Sequence, residues 1–505
     1  MPVQAAPQGA AKQSVRVAAV DLGATSGRVM SGRISPSGIE LNELHRFPNG
    51  AVRAGRSFFW DILGIHREML VGIREVARTG PLDGIGIDSW AVDYGLLDRD
   101  GQLLGNPFSH RDPRTDGIAA QVLDKVGAAR LYGTTGIQQL AFNTIYQLVA
   151  ARGTAALESA DALLLLPDLL GYWLTGEMGA ERTNASTTQL YDVNDGTWAI
   201  DLCRELGIPW SILPPLRDAG SVVGPLLPDV AREVGVGAGV PVVAVGSHDT
   251  ASAVVGVPAS TDRFAYISSG TWSLVGLELE KPVVTEAARQ ADFTNEGGVD
   301  GTIRFLKNVM GLWVLSESMR AWDGRRLGLT LQGLLAATAE FEPLRTVIDI
   351  NDPRLLAPGT ASDPMPERVV ALAKEAGQPE PASPVAIARC ILDSLVVAYR
   401  RNVRTAAELA GVDLEVVHIV GGGSQNALLC QLTADACGLP VIAGPTEAAA
   451  LGNVLVQGRT LGADLPDLAS MRALIRRSYD VRQYQPRPGL DWDAAEARVF
   501  GSQAG

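Results

Sequence analysis

The sequence predicts an α/β protein built from two halves of like design. Three observations carry this expectation. Two strand–turn–strand hairpins with small-residue turns occur far apart, near residues 15–32 and 264–276. In each half a later apolar strand empties into a loop of small or polar residues. The chain of 505 residues is long enough for two to four domains, each with its own core.

The first element is the β-branched run 15–20 (Val-Arg-Val-Ala-Ala-Val), which reads as a strand. It leads into 21–28 (Asp-Leu-Gly-Ala-Thr-Ser-Gly-Arg) and returns through Val29 and Met30, which makes a hairpin. The second hairpin repeats the plan: Phe-Ala-Tyr-Ile at 264–267, Ser-Ser-Gly-Thr at 268–271, then Trp-Ser-Leu-Val-Gly at 272–276. Repetition at so long an interval indicates two related halves and not a short-period solenoid. The strand 85–90 (Ile-Gly-Ile-Asp-Ser-Trp) corresponds to 416–420 (Val-Val-His-Ile-Val), which runs into Gly-Gly-Gly-Ser-Gln-Asn at 421–426. Helix-like sequence follows both, and α/β proteins place ligand sites at such strand ends.

Residues 384–410 read as a helix, with Val385, Ala388, Leu392, Leu395 and Tyr399 recurring at 3-4-3-4 spacing as a core stripe. Arg400, Arg401 and Arg404 suit its C-terminal dipole, and Gly411 closes it. The stretch 256–262, with Pro258 and polar turn formers, marks the boundary between halves. The expected organisation is a disordered tail 1–14, domains 15–256 and 257–480, and an extension 481–505, with a ligand cleft between the two lobes.

Composition narrows the function classes. Hydrophobic residues at 46% and charged residues at 20% exclude global disorder. A net charge of −13 gives no footprint for nucleic acid or an anionic membrane. No stretch has the ~18 uncharged apolar residues of a membrane span, since Pro167 and Asp168 interrupt the most apolar one. The first dozen residues lack the charged start and apolar run of a secretory signal, so a cytoplasmic protein is expected. Four cysteines without a C-x-x-C pair form neither a disulfide framework nor a structural zinc site.

There is no P-loop and no H-E-x-x-H helix. The run 235–239 (Gly-Val-Gly-Ala-Gly) precedes a strand instead of opening a helix, so it reads as a turn. In the first hairpin, Gly23 and Gly27 let backbone N–H groups approach an anion. Thr25 and Ser26 add hydroxyls there, and Arg28 adds a charged fork. Asp21, at the strand end, is placed to hold hydrated Mg²⁺. An ordinary hairpin turn is the competing reading. Ser268, Ser269, Gly270 and Thr271 favour the anion, since two such hairpins can grip a polyphosphate. The 421–426 turn is a nucleoside platform candidate with Asn426 at a helix start.

Ser247 reads as an N-cap, with His248 and Asp249 in the first turn of the following helix. The dipole there keeps Asp249 ionised and weakly basic, which suits a carboxylate that orients an attacking hydroxyl and takes its proton late. His248 serves either as a sugar-hydroxyl partner or as a structural histidine. The clusters 88–93 and 110–115, with Trp90 facing a sugar and their Asp and Arg side chains binding hydroxyls, stand equally as surface turns. Gln138, Gln139, Phe142 and Asn143 are open in the same way.

Together these stretches closely resemble the FGGY carbohydrate kinases of the actin-like/sugar-kinase superfamily. The resemblance extends to 294–298 (Thr-Asn-Glu-Gly-Gly), 306–313, 434–438 and 441–445, and runs in order from about residue 15 to about 460. It implies two ribonuclease-H-like domains around an inter-domain cleft, the first binding sugar and phosphate and the second nucleotide. It also implies ATP-dependent phosphorylation, with Mg²⁺, of L-rhamnulose at its 1-hydroxyl. The alternatives are another ketose of the family, L-fuculose or L-xylulose, and a non-catalytic nucleotide-binding regulator on the same fold. By the resemblance Asp249 is the catalytic proton acceptor. Ala24, Thr25, Ser26, Gly27 and Arg28 form the ATP-phosphate loop, and Thr271, Asn308, Ser316 and Gly422 are further ATP contacts. Ala91, His248, Asp249 and Thr250 contact the sugar. Ala91 stands where the family often has Gly, and Ser316 where Gln is usual. Thr433 replaces one cysteine of a pair, so no disulfide is expected at Cys437.

Overall fold

Along the first strand of the computed structural model, alternate side chains sort to opposite faces. Ala18, Val20 and Leu22 enter one core, and Val15, Val17 and Ala19 another. A strand buried on both faces must be covered on both, and that requirement organises the first of two compact units. The structure describes residues 14–501, so all but the last residue of the expected tail lies outside the described residues.

The first unit comprises residues up to Ser260, Leu279–Arg304 and Ala448–Tyr479. Its sheet contains β1 (Val15–Leu22), β2 (Ser26–Ser35), β3 (Gly38–Pro48), β4 (Gly84–Ser89), β5 (Val222–Pro225) and β6 (Pro241–Val243). The strand order is β5-β6-β4-β1-β2-β3. β1 and β2 form the antiparallel hairpin, and β4 lies parallel to both β1 and β6. The helix Ile62–Arg78 covers one face with Ile65, Met69, Ile73 and Val76. The helix Ala448–Thr460 covers the other with Leu451, Val454 and Leu455.

That second helix differs from the expected division, which assigned 257–480 to one domain. Residues 448–479 belong with the first sheet because their apolar face closes the core under β1. Gly452 permits it: a Cβ there would overlap the backbone of Ser252 in the helix Asp249–Val255.

The second unit comprises Thr261–Glu278, Phe305–Glu447 and residues from Asp480 onward. It contains β7 (Phe264–Ser269), β8 (Ser273–Leu279), β9 (Val416–Val420), β10 (Val441–Ala443) and β11 (Arg482–Tyr484), in the order β8-β7-β9-β10-β11. β7 and β8 are an antiparallel hairpin, and β7, β9 and β10 run parallel. This repeats β2-β1-β4-β6, so the correspondence of 85–90 with 416–420 reflects equivalent strands. The helix spans Pro384–Ala410, capped by the Ser383 side chain and ended by Gly411 at φ 66°. Among the described residues no helix is long and apolar enough to cross a membrane, and all four cysteines are free.

Candidate active site

Parallel pairing brings three charged groups of the first unit into one row. Asp21 on β1 is in register with Arg28 on β2 and with Asp88 on β4. Arg28 donates to Asp21 Oδ2 from Nε at 3.0 Å and from Nη2 at 2.7 Å. The Arg28 fork is thus paired with Asp21 through Nε and Nη2. Asp88 is fully buried, and burial followed by the charge of Asp21 pushes its carboxyl well above the ordinary range. Its Oδ1 has no hydrogen-bond partner.

The first hairpin turn is built differently from the expectation for its glycines. Gly23 N–H donates to Ser26 O at 2.9 Å, and Asn49 bonds the carbonyls of Gly23 and Thr25. A Cβ on Gly27 would collide with the ring of Phe47, so packing by itself requires a glycine there. Ala24 and Ser26 are half-buried, and Thr25 stands exposed at the turn.

His248 and Asp249 follow β6, where the backbone bridges to the end of β4. Ser89 N–H donates to Ser247 O at 2.9 Å, which sets the β4 end, and Ala91 just beyond it, beside His248. The helix starts at Asp249 with His248 as its N-cap residue, not Ser247. The Ser247 hydroxyl is taken by Glu181: Oε2 accepts from Ser247 N at 3.0 Å and from Oγ at 2.9 Å. Glu181 also accepts from Thr183 N and Oγ1, and Thr183 Oγ1 in turn accepts from His248 N at 3.3 Å.

Asp249 Oδ1 accepts from Thr250 Oγ1 at 3.0 Å and faces His248 Nε2 at 3.5 Å. A third of its side chain remains open to solvent. Burial pushes its carboxyl above the ordinary range, His248 pulls it down, and the Asp21 charge pushes it up again. The net shift is upward, which corrects the expectation that the dipole keeps Asp249 weakly basic. A seven-residue helix has a small dipole, and desolvation outweighs it.

The 88–93 cluster is mostly interior, and 110–115 is mixed, with Asp112 and Thr115 buried and Arg111 and Pro113 exposed. Trp90 packs on Trp60 at 4.2 Å between ring centroids and does not present a free face. Buried Asp93 accepts from Trp60 Nε1, Trp90 Nε1 and Gln147 Nε2 and pairs with His110. Burial alone would raise its carboxyl, but His110 and the indole donors hold it below the usual range. Arg114 stacks on Phe108 and donates to Gln147. Asn143 bonds Gln138 O and Gln189.

In the second unit Ser269 is buried against the Tyr399 hydroxyl, which also lies 2.6 Å from Ser273 Oγ, so Ser269 braces the hairpin instead of facing a ligand. Burial pushes the Tyr399 phenol up to about 12. Thr271 is exposed at the turn, and its carbonyl accepts from Trp313 N at 3.1 Å. This ties the turn to the helix Trp313–Gly324, whose first turns carry exposed Ser316. Asn308 is half-buried. A Cβ on Gly421 would lie 2.8 Å from Ser269 O, so the glycine turn lies against β7, with Gly422 exposed. Asn426 caps the helix Ala427–Cys437 through Leu429 N at 3.1 Å and is itself buried.

The residues that sequence reasoning did not single out are those holding this frame. Glu181, Thr183, Arg304 and Asn453 lack any motif. Glu296 lies within the 294–298 stretch without a role attached to it.

Two units, each a hairpin extended by parallel strands with polar loops at their ends, define an actin-like ATPase class of fold. The solved structures of similar fold include a gluconate kinase from Lactobacillus acidophilus, at TM-score 0.78 and 16% identity, covering 96% of each chain. They also include Plasmodium falciparum glycerol kinase with ADP, at TM-score 0.77 and 16% identity, again covering 96% of each. Family models for the N-terminal and C-terminal domains of the FGGY family of carbohydrate kinases match residues 64–256 and 265–461. A rhamnulokinase from Bacteroides thetaiotaomicron is 41% identical over 480 residues, 94% of this chain and 97% of its own. One from Pectobacterium carotovorum is 43% identical over 481 residues, 94% of each chain. The chain belongs to the FGGY family of carbohydrate kinases.

Proposed function

We propose that the chain transfers the γ-phosphoryl group of ATP to the 1-hydroxyl of L-rhamnulose, giving L-rhamnulose 1-phosphate and ADP. The observation that carries the substrate is the 41–43% identity to rhamnulokinases across nearly the whole of both chains. The chemistry rests on Asp249, whose carboxylate is desolvated, partly open and held by Thr250 and His248.

In this reading the sugar lies against Ala91, His248, Asp249 and Thr250. Its 1-hydroxyl donates to Asp249 Oδ2, since Oδ1 is already occupied by Thr250 and faces His248. As the O1–P bond forms and the bond to the ADP oxygen breaks, the hydroxyl proton passes to Asp249. An upward-shifted carboxylate is a better acceptor for that proton than an ordinary one. The backbone and hydroxyls of Ala24, Thr25 and Ser26, ahead of Gly27, contact nucleotide phosphate. Gly27 and Arg28, the latter paired with Asp21, complete this phosphate loop. Thr271, Asn308, Ser316 and Gly422 are further ATP contacts in this reading.

Among the described residues no group of three or more His, Cys, Asp or Glu side chains converges on a metal position. Oxygen donors at Asp21, with the orphaned Asp88 Oδ1 on the adjacent strand, nevertheless fit magnesium, which takes one or two carboxylates and fills its remaining positions with water and phosphate. Bound with ATP, magnesium neutralises charge on the phosphate oxygens. We place the reaction in the cytoplasm, where ATP is available.

The test is a panel of L-rhamnulose, L-fuculose and L-xylulose in an ADP-release assay. L-rhamnulose is expected to give the highest kcat/KM, and no turnover with it overturns the assignment. Asp249→Asn should abolish transfer while nucleotide binding by calorimetry is retained.

A further inference from the structure

His248 is gripped on the side away from Asp249. Its Nδ1 lies 3.1 Å from Arg304 Nη2 and 3.1 Å from Glu296 Oε2, and those two pair with each other at 3.0 Å. Arg304 is fully buried, and Glu296 and His248 are nearly so. Arg304 is further fixed by Nε donating to Gly297 O at 2.9 Å. A guanidinium carries donors and no acceptor, so in its contact with Arg304 the imidazole Nδ1 must be the acceptor. With Nδ1 accepting, the ring N–H is at Nε2, which faces Asp249 Oδ1 at 3.5 Å. Glu296 balances the Arg304 charge. Although burial alone would raise its carboxyl, the Arg304 charge beside it holds it below the usual range.

Arg304 Nη1 is buried without a hydrogen-bond partner, and a buried ion pair is often no better than apolar side chains of similar volume. We propose that Arg304 is a positioning residue for phosphoryl transfer: by donating to His248 Nδ1 it fixes the Nε2–H tautomer, so that the imidazole holds Asp249 Oδ1 and leaves Oδ2 for the sugar hydroxyl. The proposal rests on the reading of Asp249 as the proton acceptor.

The experiment is two-bond ¹H–¹⁵N correlation NMR on the full chain labelled with ¹⁵N-histidine. There are five histidines, and His248 is identified by the signal that disappears in His248→Gln. The wild-type protein should show the Nε2–H pattern at His248. Glu296→Gln should keep it, because Arg304 still donates. Arg304→Met should lose it, because Nδ1 is then free to donate to Glu296. Arg304→Met should also lower kcat by about 10–100-fold, the range typical of outer-shell partners, with the KM for ATP unchanged. Arg304→Lys, which keeps a donor, should recover part of that loss. An Nδ1–H pattern in the wild type, a switch in Glu296→Gln, or unchanged kcat in Arg304→Met overturns the proposal. Should Arg304→Met fail to fold, the wild-type and Glu296→Gln spectra still decide it. Should Asp249→Asn remain active, the reading of Asp249 fails while the tautomer result stands by itself.

Discussion

Asn453 Nδ2 donates to Asp88 Oδ2 at 2.6 Å, across a sequence separation of 365 residues. The bond joins the helix Ala448–Thr460 to the end of β4, and Gln457 extends it by donating to Asn453 Oδ1 and to Ala18 O. Among the described residues Asn453 is the sole hydrogen-bond donor to the Asp88 carboxyl, whose other oxygen already lacks a partner. Asn453→Ala should therefore leave a fully buried carboxyl unsatisfied and cost about 1–3 kcal/mol. Urea denaturation measures it, and an unchanged midpoint would show that the bond does not secure the helix.

The upward shift of Asp249 has a kinetic sign. Its ionised form accepts the proton, so kcat/KM for the sugar should fall as pH drops through a value above the ordinary 3.8. Two neighbours should move this acidic limb in opposite directions. Asp21→Asn removes a negative charge that raises Asp249 and should shift the limb to lower pH, whatever it does to the maximal rate. His248→Gln removes a group that lowers it and should shift the limb upward. Limbs that move together, or not at all, would assign the limb to another group.

The strands and hairpins were legible because their information is local. β-branched runs and small-residue turns act over ten residues, and the stripe of Pro384–Ala410 declares its own period. The frame of the site was not legible for the opposite reason. Glu181, Glu296, Arg304 and Asn453 matter through single contacts to residues far away in sequence, and nothing near them marks a buried carboxylate or guanidinium. Ser247 shows how a correct local rule fails: a serine before a helix is a fair N-cap, but Glu181 competes for its hydroxyl and wins. The grouping of Ala448–Tyr479 with the first unit was not legible because the contacts that decide it are far away in sequence.

Gly27 separates a packing role from an anion-binding one. A Cβ at this position would overlap the Phe47 ring, so Gly27→Ala should destabilise the first unit by about 1–3 kcal/mol through overpacking. Phe47→Leu, which retracts the ring atoms, should recover part of that loss in the double variant. Denaturation curves for the two single variants and the double variant test this. If Gly27→Ala keeps full stability and only weakens ATP binding, the glycine serves phosphate approach and the packing account is wrong.

Asp168 lies in a small cavity with Glu181 and Arg217, behind the loop that carries His248. Burial first, then the Glu181 charge, push its carboxyl up to about 8, against the opposing pull of Arg217. Because the folded state favours the protonated form, Asp168 contributes stability that is full below its unfolded value near 3.8 and is lost as pH rises through about 8. Asn has the same shape and does not ionise. Asp168→Asn should therefore flatten the decline in melting temperature between about pH 5 and about pH 9, gaining on the wild type as pH rises. Each unit of upward shift is worth about 1.4 kcal/mol, enough to be read in thermal melts. Parallel profiles for the two proteins would mean that Asp168 stays ionised in the fold, with Arg217 compensating its charge.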